Sequence, residues 1–153
     1  MDDSEIRTIM APLINGHILL PNSAVAEVVS FITLEPLDEA PEWLLGELTW
    51  NGWQVPVVCY EQLVNDSADH TVTPRARILI VKTLGESPQV NYIGLIIQGL
   101  PKLKTVSMDT LVEEVTGDLH ETQFGRVKVG ELHGVIPEIG QLTRVVEHAA
   151  YGR

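Results

Sequence analysis

The chain lacks the cysteine pairs of many extracellular proteins and the long apolar segments of membrane proteins. Its 153 residues contain a single cysteine, Cys59, so no internal disulfide is possible, which favours a reducing compartment. The longest apolar runs, at residues 78–81 and 93–97, are far shorter than the roughly 20 residues of a transmembrane helix. The acidic start, MDDSEIR, lacks the positive charge and apolar stretch of a signal peptide. These absences predict a cytoplasmic protein without direct membrane insertion.

Basic residues are also scarce. Ten Lys and Arg stand against 21 Asp and Glu, which gives a formal net charge of -11. Most of the imbalance lies in residues 1–75, where Arg7 and Arg75 are the only basic residues. Because an acidic chain repels phosphate backbones, general nucleic-acid binding is not expected. The negative charge is interpreted first as an aid to solubility, and second as an acidic face for a basic protein partner.

The chain carries no common catalytic or metal-binding motif. The GxSxG, Walker A and GxGxxG patterns are absent. Zinc motifs need ligands close in sequence, and none of the histidines lies within four residues of another histidine or of Cys59. Cys59 follows an apolar run and is expected to be a buried core residue. We therefore predict a protein that is not an enzyme and has no catalytic residue, no cofactor and no metal site. An enzyme acting through Cys59 or a convergent histidine site is the least favoured alternative. The histidines taken as structural or solvated are His17, His70, His120, His133 and His148.

Short apolar segments and frequent turn signals predict eight to ten strands, as in a barrel or a sandwich. Asn15-Gly16 predicts a tight turn between two strands within residues 7–20. Asn22 or Ser23 is expected to cap a helical turn, after which β-branched residues favour an extended chain. Residues 33–41 and 64–76 are predicted loops, and residues 1–6 are expected to be flexible.

The second half of the chain predicts two buried strands and then more exposed elements. Residues 77–84 and 92–98 are rich in Ile and Val on both faces. Residues 102–106 alternate as in an outer strand, 107–115 predict a short helix or turn, and 125–136 predict another pair of strands. After Pro137 the apolar residues recur at three- and four-residue spacing, which predicts one amphipathic helix with Pro137 in its first turn.

The three tryptophans cluster around a second turn signal. Asn51-Gly52 predicts a two-residue hairpin turn, in which Trp50 pairs with Trp53 and Leu48 with Val55. One face then carries Leu48, Trp50, Trp53, Val55 and Val57, and the other carries Glu47, Thr49, Gln54 and Pro56. Pro56 predicts an edge strand or a bulge. The tryptophans at the tip either pack in the core or anchor a protein interface.

Several segments, each weak alone, follow one another in a characteristic order along nearly the whole chain. They are Val25 with Glu27, then Pro41, Leu44, Leu45 and Gly46, the turn Thr49-Trp50-Asn51-Gly52, the strand Val55-Pro56-Val57-Val58, the strand Tyr92-Ile93-Gly94-Leu95-Ile96-Ile97, and Gly134-Val135-Ile136-Pro137-Glu138-Ile139. This order resembles the CheW-like coupling proteins of bacterial chemosensory arrays.

The resemblance implies a single mainly β domain over residues 1–153. It would consist of two intertwined five-stranded SH3-like barrels around a shared apolar interface, with a short C-terminal helix. It implies a non-catalytic adaptor whose partners are the regulatory domain of a CheA-type histidine kinase and the signalling tip of a methyl-accepting receptor. An SH3-like interaction module of another pathway is the alternative.

The family's receptor contacts fall on Val25, Glu27, Gly46 and Asn51, to which the residues themselves add Trp50 and Trp53 as candidate anchors. Asn51 stands where the family has an arginine, and Cys59 stands where it has an aspartate. A planar guanidinium that clamps carboxylates is thereby lost. These departures fit a divergent accessory coupling protein, as in type IV pilus or twitching-motility systems, better than a main chemotaxis coupler.

Overall fold

The protein is mainly β, as expected. The structure is a computed structural model that describes residues 5–65, 73–85, 87, 89–107, 111–114 and 118–152. In chain order its elements are β1 (Ile6–Pro12), β2 (His17–Pro21), a 3₁₀ turn (Asn22–Ala24), β3 (Val25–Ser30), β4 (Leu44–Trp50), β5 (Trp53–Val58), α1 (Tyr60–Val64), β6 (Arg77–Lys82), β7 (Tyr92–Ile97), β8 (Lys102–Val106), β9 (Leu111–Glu113), β10 (Gln123–Val129), β11 (Leu132–Pro137) and α2 (Ile139–Tyr151).

The strands form two sheets. The first has the order β8-β1-β2-β11-β10-β9, and the second has the order β3-β6-β7-β5-β4. The first sheet therefore has one strand more than the expected five. The extra strand, β9, lies within residues 107–115, which were predicted as a helix or turn. It pairs with β10, and Leu111 packs against the apolar cluster beneath that strand, so packing overrides the local turn preference.

The largest apolar cluster lies between the two sheets. It takes Ile18 and Leu20 from β2, Leu79 and Val81 from β6, and Leu142 from α2. Each of these side chains is at most 1% exposed. This interface cluster confirms that the two sheets share an apolar interface.

Each sheet has a second, smaller apolar cluster on its other face. Ile78 and Ile80 of β6 point into the second sheet's own cluster, while their neighbours Leu79 and Val81 point into the interface cluster. Side chains alternate along a strand, so burial on both faces requires an uninterrupted apolar run. The Ile- and Val-rich strands predicted from the sequence are thus explained.

The two Asn-Gly turns differ. At Asn51-Gly52 the loop has two residues, and Trp50 pairs with Trp53 as predicted. At Asn15-Gly16 the two predicted strands, β1 and β2, are joined by a tight turn, which the Leu13 N–H closes by donating to the Gly16 carbonyl at 2.9 Å. This turn is centred on residues 14 and 15, one residue earlier than predicted, and Gly16 has the positive φ of 97°.

Two further local predictions were wrong, the side-chain cap of the turn at 22–24 and the place of Pro137 in the first turn of the C-terminal helix. The helical turn at 22–24 exists, but it has no side-chain cap. Pro137 ends β11, and Glu138 is the N-cap of α2, where its carboxylate accepts a hydrogen bond from Gly140 N–H.

Pro56 was predicted to mark an edge strand or a bulge, and the register of the β4–β5 ladder shifts between Leu44 and Gly46, beside the Glu47–Pro56 pair, as at a bulge. Pro56 itself lies in β5, an inner strand of the second sheet. It is tolerated there because it precedes Val57 and Val58, the two residues that pair with β7.

The structure describes only part of the predicted loops, and residues 1–4 of the predicted flexible N-terminus lie outside the described residues. Within 33–41, Glu35 forms an isolated bridge with Glu47. Most of 64–76 lies outside the described residues, although Val64 ends the unpredicted helix α1. Of the N-terminal stretch 1–6, Ile6 already pairs with Val106 of β8. The expected outer strand at 102–106 is confirmed as an edge strand.

Candidate protein-docking site

The β4–β5 hairpin ends in a tight turn that only certain residues can form. Asn51 has φ 49° and Gly52 has φ 81°. Asn tolerates positive φ better than most residues, and Gly adopts it freely. This turn type matches the natural twist of the strands, so the local sequence alone places Trp50 and Trp53 opposite each other.

Both tryptophans contact Tyr92, the first residue of β7. The Trp50 and Tyr92 ring centroids are 4.9 Å apart, and those of Trp53 and Tyr92 are 5.5 Å apart, both edge to face. The geometry is the favoured one for aromatic pairs. The place of Tyr92 in this site does not follow from the sequence, because about 40 residues separate Tyr92 from the hairpin along the chain.

The two tryptophans have different roles in this aromatic cluster of Trp50, Trp53 and Tyr92. Trp50 is partly buried against the second sheet's own cluster, and its Nε1–H donates to Glu27 Oε1 at 2.7 Å. Trp53 is 43% exposed. Trp50 therefore combines core packing with a polar contact, whereas Trp53 presents free aromatic surface. The core-packing interpretation thus applies in part to Trp50, and the interface interpretation of Trp53 stays a prediction.

The remaining predicted site residues divide into two groups. Glu27 and Asn51 are exposed beside the tryptophans. Gly46 is buried in β4. Val25 lies next to a bulge in β3 and packs against the interface cluster. The structure thus brings Glu27, Trp50, Asn51 and Trp53 together at one exposed tip, whereas Gly46 is buried and Val25 is half-buried away from the tip.

The reactive groups of the described residues lie elsewhere. Cys59 is buried, and burial raises the pKa of its thiol, which disfavours the reactive thiolate. Among these residues no three His, Cys, Asp or Glu side chains group as a metal site would require. His133 Nδ1 lies 2.9 Å from Glu114 Oε2 in a cleft of about 300 Å³. That cleft lies between the β1–β2 loop, α1, β10 and the first half of β11, and no residue of the tryptophan hairpin lines it.

Comparisons with known proteins decide the family. The profile of the CheW-like domain matches residues 8–142. The chain belongs to the CheW-like domain family. Comparison with curated protein sequences gives no match.

A solved member has the same fold. The scaffolding protein TtCheW from Thermoanaerobacter tengcongensis is 18% identical with a TM-score of 0.75, and the match covers 97% of this chain and 95% of that one. At this identity the likeness shows the CheW-like fold and does not identify the partners of this chain. No helix among the described residues is long and apolar enough to cross a membrane.

Proposed function

We propose that this CheW-like chain is a non-catalytic cytoplasmic adaptor that couples chemoreceptors to a CheA-type histidine kinase. The observation that carries the proposal is the exposed tip of the β4–β5 hairpin. Trp53 offers apolar aromatic surface there, and aromatic anchors of this kind dominate protein interfaces.

The surroundings of Trp53 favour docking of a protein. Asn51 and Glu27 are exposed beside it and supply polar groups that select among partners. The Glu27 carboxylate is held by the Trp50 indole, so its position is set before a partner arrives. Preorganised contacts cost less to immobilise on binding.

The departure from the family at Asn51 bears on the type of contact. Asn has one carbonyl acceptor and an amide donor and carries no charge. A partner that meets this tip therefore pairs with a neutral group and with the Glu27 carboxylate, not with a guanidinium. This chemistry supports the proposal of a divergent, accessory coupling protein.

The direct test is titration calorimetry of the full chain with two purified probes. These are the regulatory domain of the CheA-type kinase and a soluble signalling-tip fragment of a receptor, both from the same organism. The proposal expects saturable binding of at least one probe. If neither binds, the adaptor proposal fails, and an SH3-like interaction module of another pathway becomes the better account.

A further inference from the structure

A chain of hydrogen bonds runs along the face of the hairpin opposite the tryptophans, the face on which α2 lies. The Tyr151 hydroxyl donates to Glu47 Oε2 at 3.2 Å. Gln54 Nε2 donates to Glu47 Oε1 at 3.0 Å. The Thr49 hydroxyl donates to Gln54 Oε1. The chain begins on α2 and ends one residue from the tip of β4.

Glu47 is the centre of this network. Each of its carboxylate oxygens accepts one of these hydrogen bonds. Its backbone also exchanges two hydrogen bonds with Glu35, with N···O distances of 2.8 and 2.9 Å. Four elements therefore meet at one residue: β4, β5, the segment after β3, and α2.

Helix α2 reaches this point from the other sheet. It begins at Ile139, directly after β11 of the first sheet. Leu142 and Val146 bury its inner face in the interface cluster. Its last residue, Tyr151, contacts β4 of the second sheet, and Gly152 ends the helix with φ 72°. The helix thus connects the hairpin, through the Tyr151–Glu47 hydrogen bond, to the interface cluster.

Strand β4 has a full backbone partner on one side only. It lies at the edge of the second sheet and pairs over its length only with β5, apart from the Glu35 bridge. A hairpin whose outer strand has no full neighbour is free to tilt unless side chains hold it.

We propose that Tyr151 is a positioning residue for the docking site: through Glu47 it holds the β4–β5 hairpin in the orientation that presents Trp53 and Asn51. Its effect on partner affinity rests on the proposed adaptor function. Its effect on hairpin orientation does not, and can be measured on the protein alone.

The test compares Tyr151→Phe with Tyr60→Phe. Both remove one phenol hydroxyl, but Tyr60 donates to the backbone oxygen of Thr122 at 2.7 Å and lies in the interface cluster. The readout is the set of indole N–H resonances of Trp50 and Trp53 in a proton–nitrogen correlation spectrum. We expect Tyr151→Phe to shift these resonances and Tyr60→Phe to leave them in place.

A second variant shows whether the effect passes through Glu47. Glu47→Leu keeps a side chain of similar size but removes both of the oxygens that accept from Tyr151 and Gln54. We expect it to shift the same resonances, and the double variant to add little, because both changes break one network. Additive shifts in the double variant would contradict transmission through Glu47.

The two proposals fail in different ways. Indole resonances of Tyr151→Phe identical to the wild type would overturn the positioning role whether or not a partner binds. For a partner that binds the wild type, we expect Tyr151→Phe to weaken affinity about threefold to tenfold. Unchanged affinity together with shifted resonances would restrict the role of Tyr151 to hairpin orientation and would overturn its link to docking.

Discussion

Gly46 and Glu35 lie so close together that no side chain fits between them. A Cβ placed on Gly46 would lie 2.6 Å from the carbonyl oxygen of Glu35, and the Gly46 φ angle is 143°. The contact lets the segment after β3 reach β4 and form the bridge with Glu47. The missing side chain of Gly46 thus allows the segment after β3 to pack directly against β4.

Substitution of Gly46 should therefore destabilise the fold strongly. Gly46→Ala meets backbone that cannot move aside and also strains φ, so we expect it to lower the free energy of unfolding by about 2 kcal/mol or more. Gly125→Ala is the matched control, because an added Cβ there meets nothing within 4 Å. Urea denaturation of both variants measures the difference, and equal stabilities would contradict the close-approach account.

Trp50 and Trp53 should differ in what they contribute to stability. Trp50→Phe keeps an aromatic ring but loses the hydrogen bond to Glu27 and part of its packing against the second sheet's own cluster, so we expect it to lower the free energy of unfolding by about 1 kcal/mol. Trp53 is 43% exposed, and its ring centroid lies 5.5 Å from that of Tyr92, so we expect Trp53→Phe to change the free energy of unfolding by no more than about 0.5 kcal/mol. Denaturant midpoints of the two variants test this ranking. A larger loss from Trp53→Phe would reverse it.

Truncation of a side chain in the interface cluster should destabilise the protein more than truncation at an edge strand. Leu142 is fully buried between the sheets, and Leu142→Ala is expected to cost about 2–5 kcal/mol. Leu103, on edge strand β8, is 60% exposed, so Leu103→Ala should cost well under about 1 kcal/mol. Thermal unfolding of both variants gives the comparison. Similar melting temperatures would mean that α2 does not hold the sheets together.

Tyr151 should titrate unusually late. Burial, and next the negative charge of Glu47, raise the pKa of Tyr151 from 10 to about 12. The folded protein therefore favours the neutral phenol. Its contribution to stability is complete below pH 10 and is lost as the pH rises to about 12. Phenolate absorbance of the wild type and of Tyr151→Phe tests this, and a difference spectrum that titrates near pH 10 would contradict it.

How far the sequence predicts this protein depends on the range of the interactions. The Asn51-Gly52 turn and its register follow from backbone preferences of adjacent residues, so they were predicted correctly. The same dipeptide at Asn15-Gly16 also joins two strands, but the turn is centred one residue earlier, and distant groups contact that loop. The Glu61 carboxylate accepts hydrogen bonds from the backbone N–H groups of Ile14 and Asn15.

The candidate site shows the same division. The tryptophan pairing was predictable because both residues flank one turn. The contacts of Tyr92 and Tyr151 were not, since they join the hairpin to residues on β7 and α2 that only the folded chain brings near. No local pattern marks either tyrosine as a neighbour of Trp50 or Glu47.

The proposed adaptor function depends most directly on binding of a partner at the hairpin tip. The measurement is the affinity of Trp53→Ala and Asn51→Asp for whichever probe, kinase regulatory domain or receptor tip, binds the wild type. Asp tolerates the positive φ of Asn51, so the turn persists. Asn15→Asp puts the same charge in the exposed loop of the first sheet and serves as the control. The account predicts a loss of at least about tenfold for the two tip variants and little change for the control. Wild-type affinity in both tip variants, with normal circular dichroism, would contradict it.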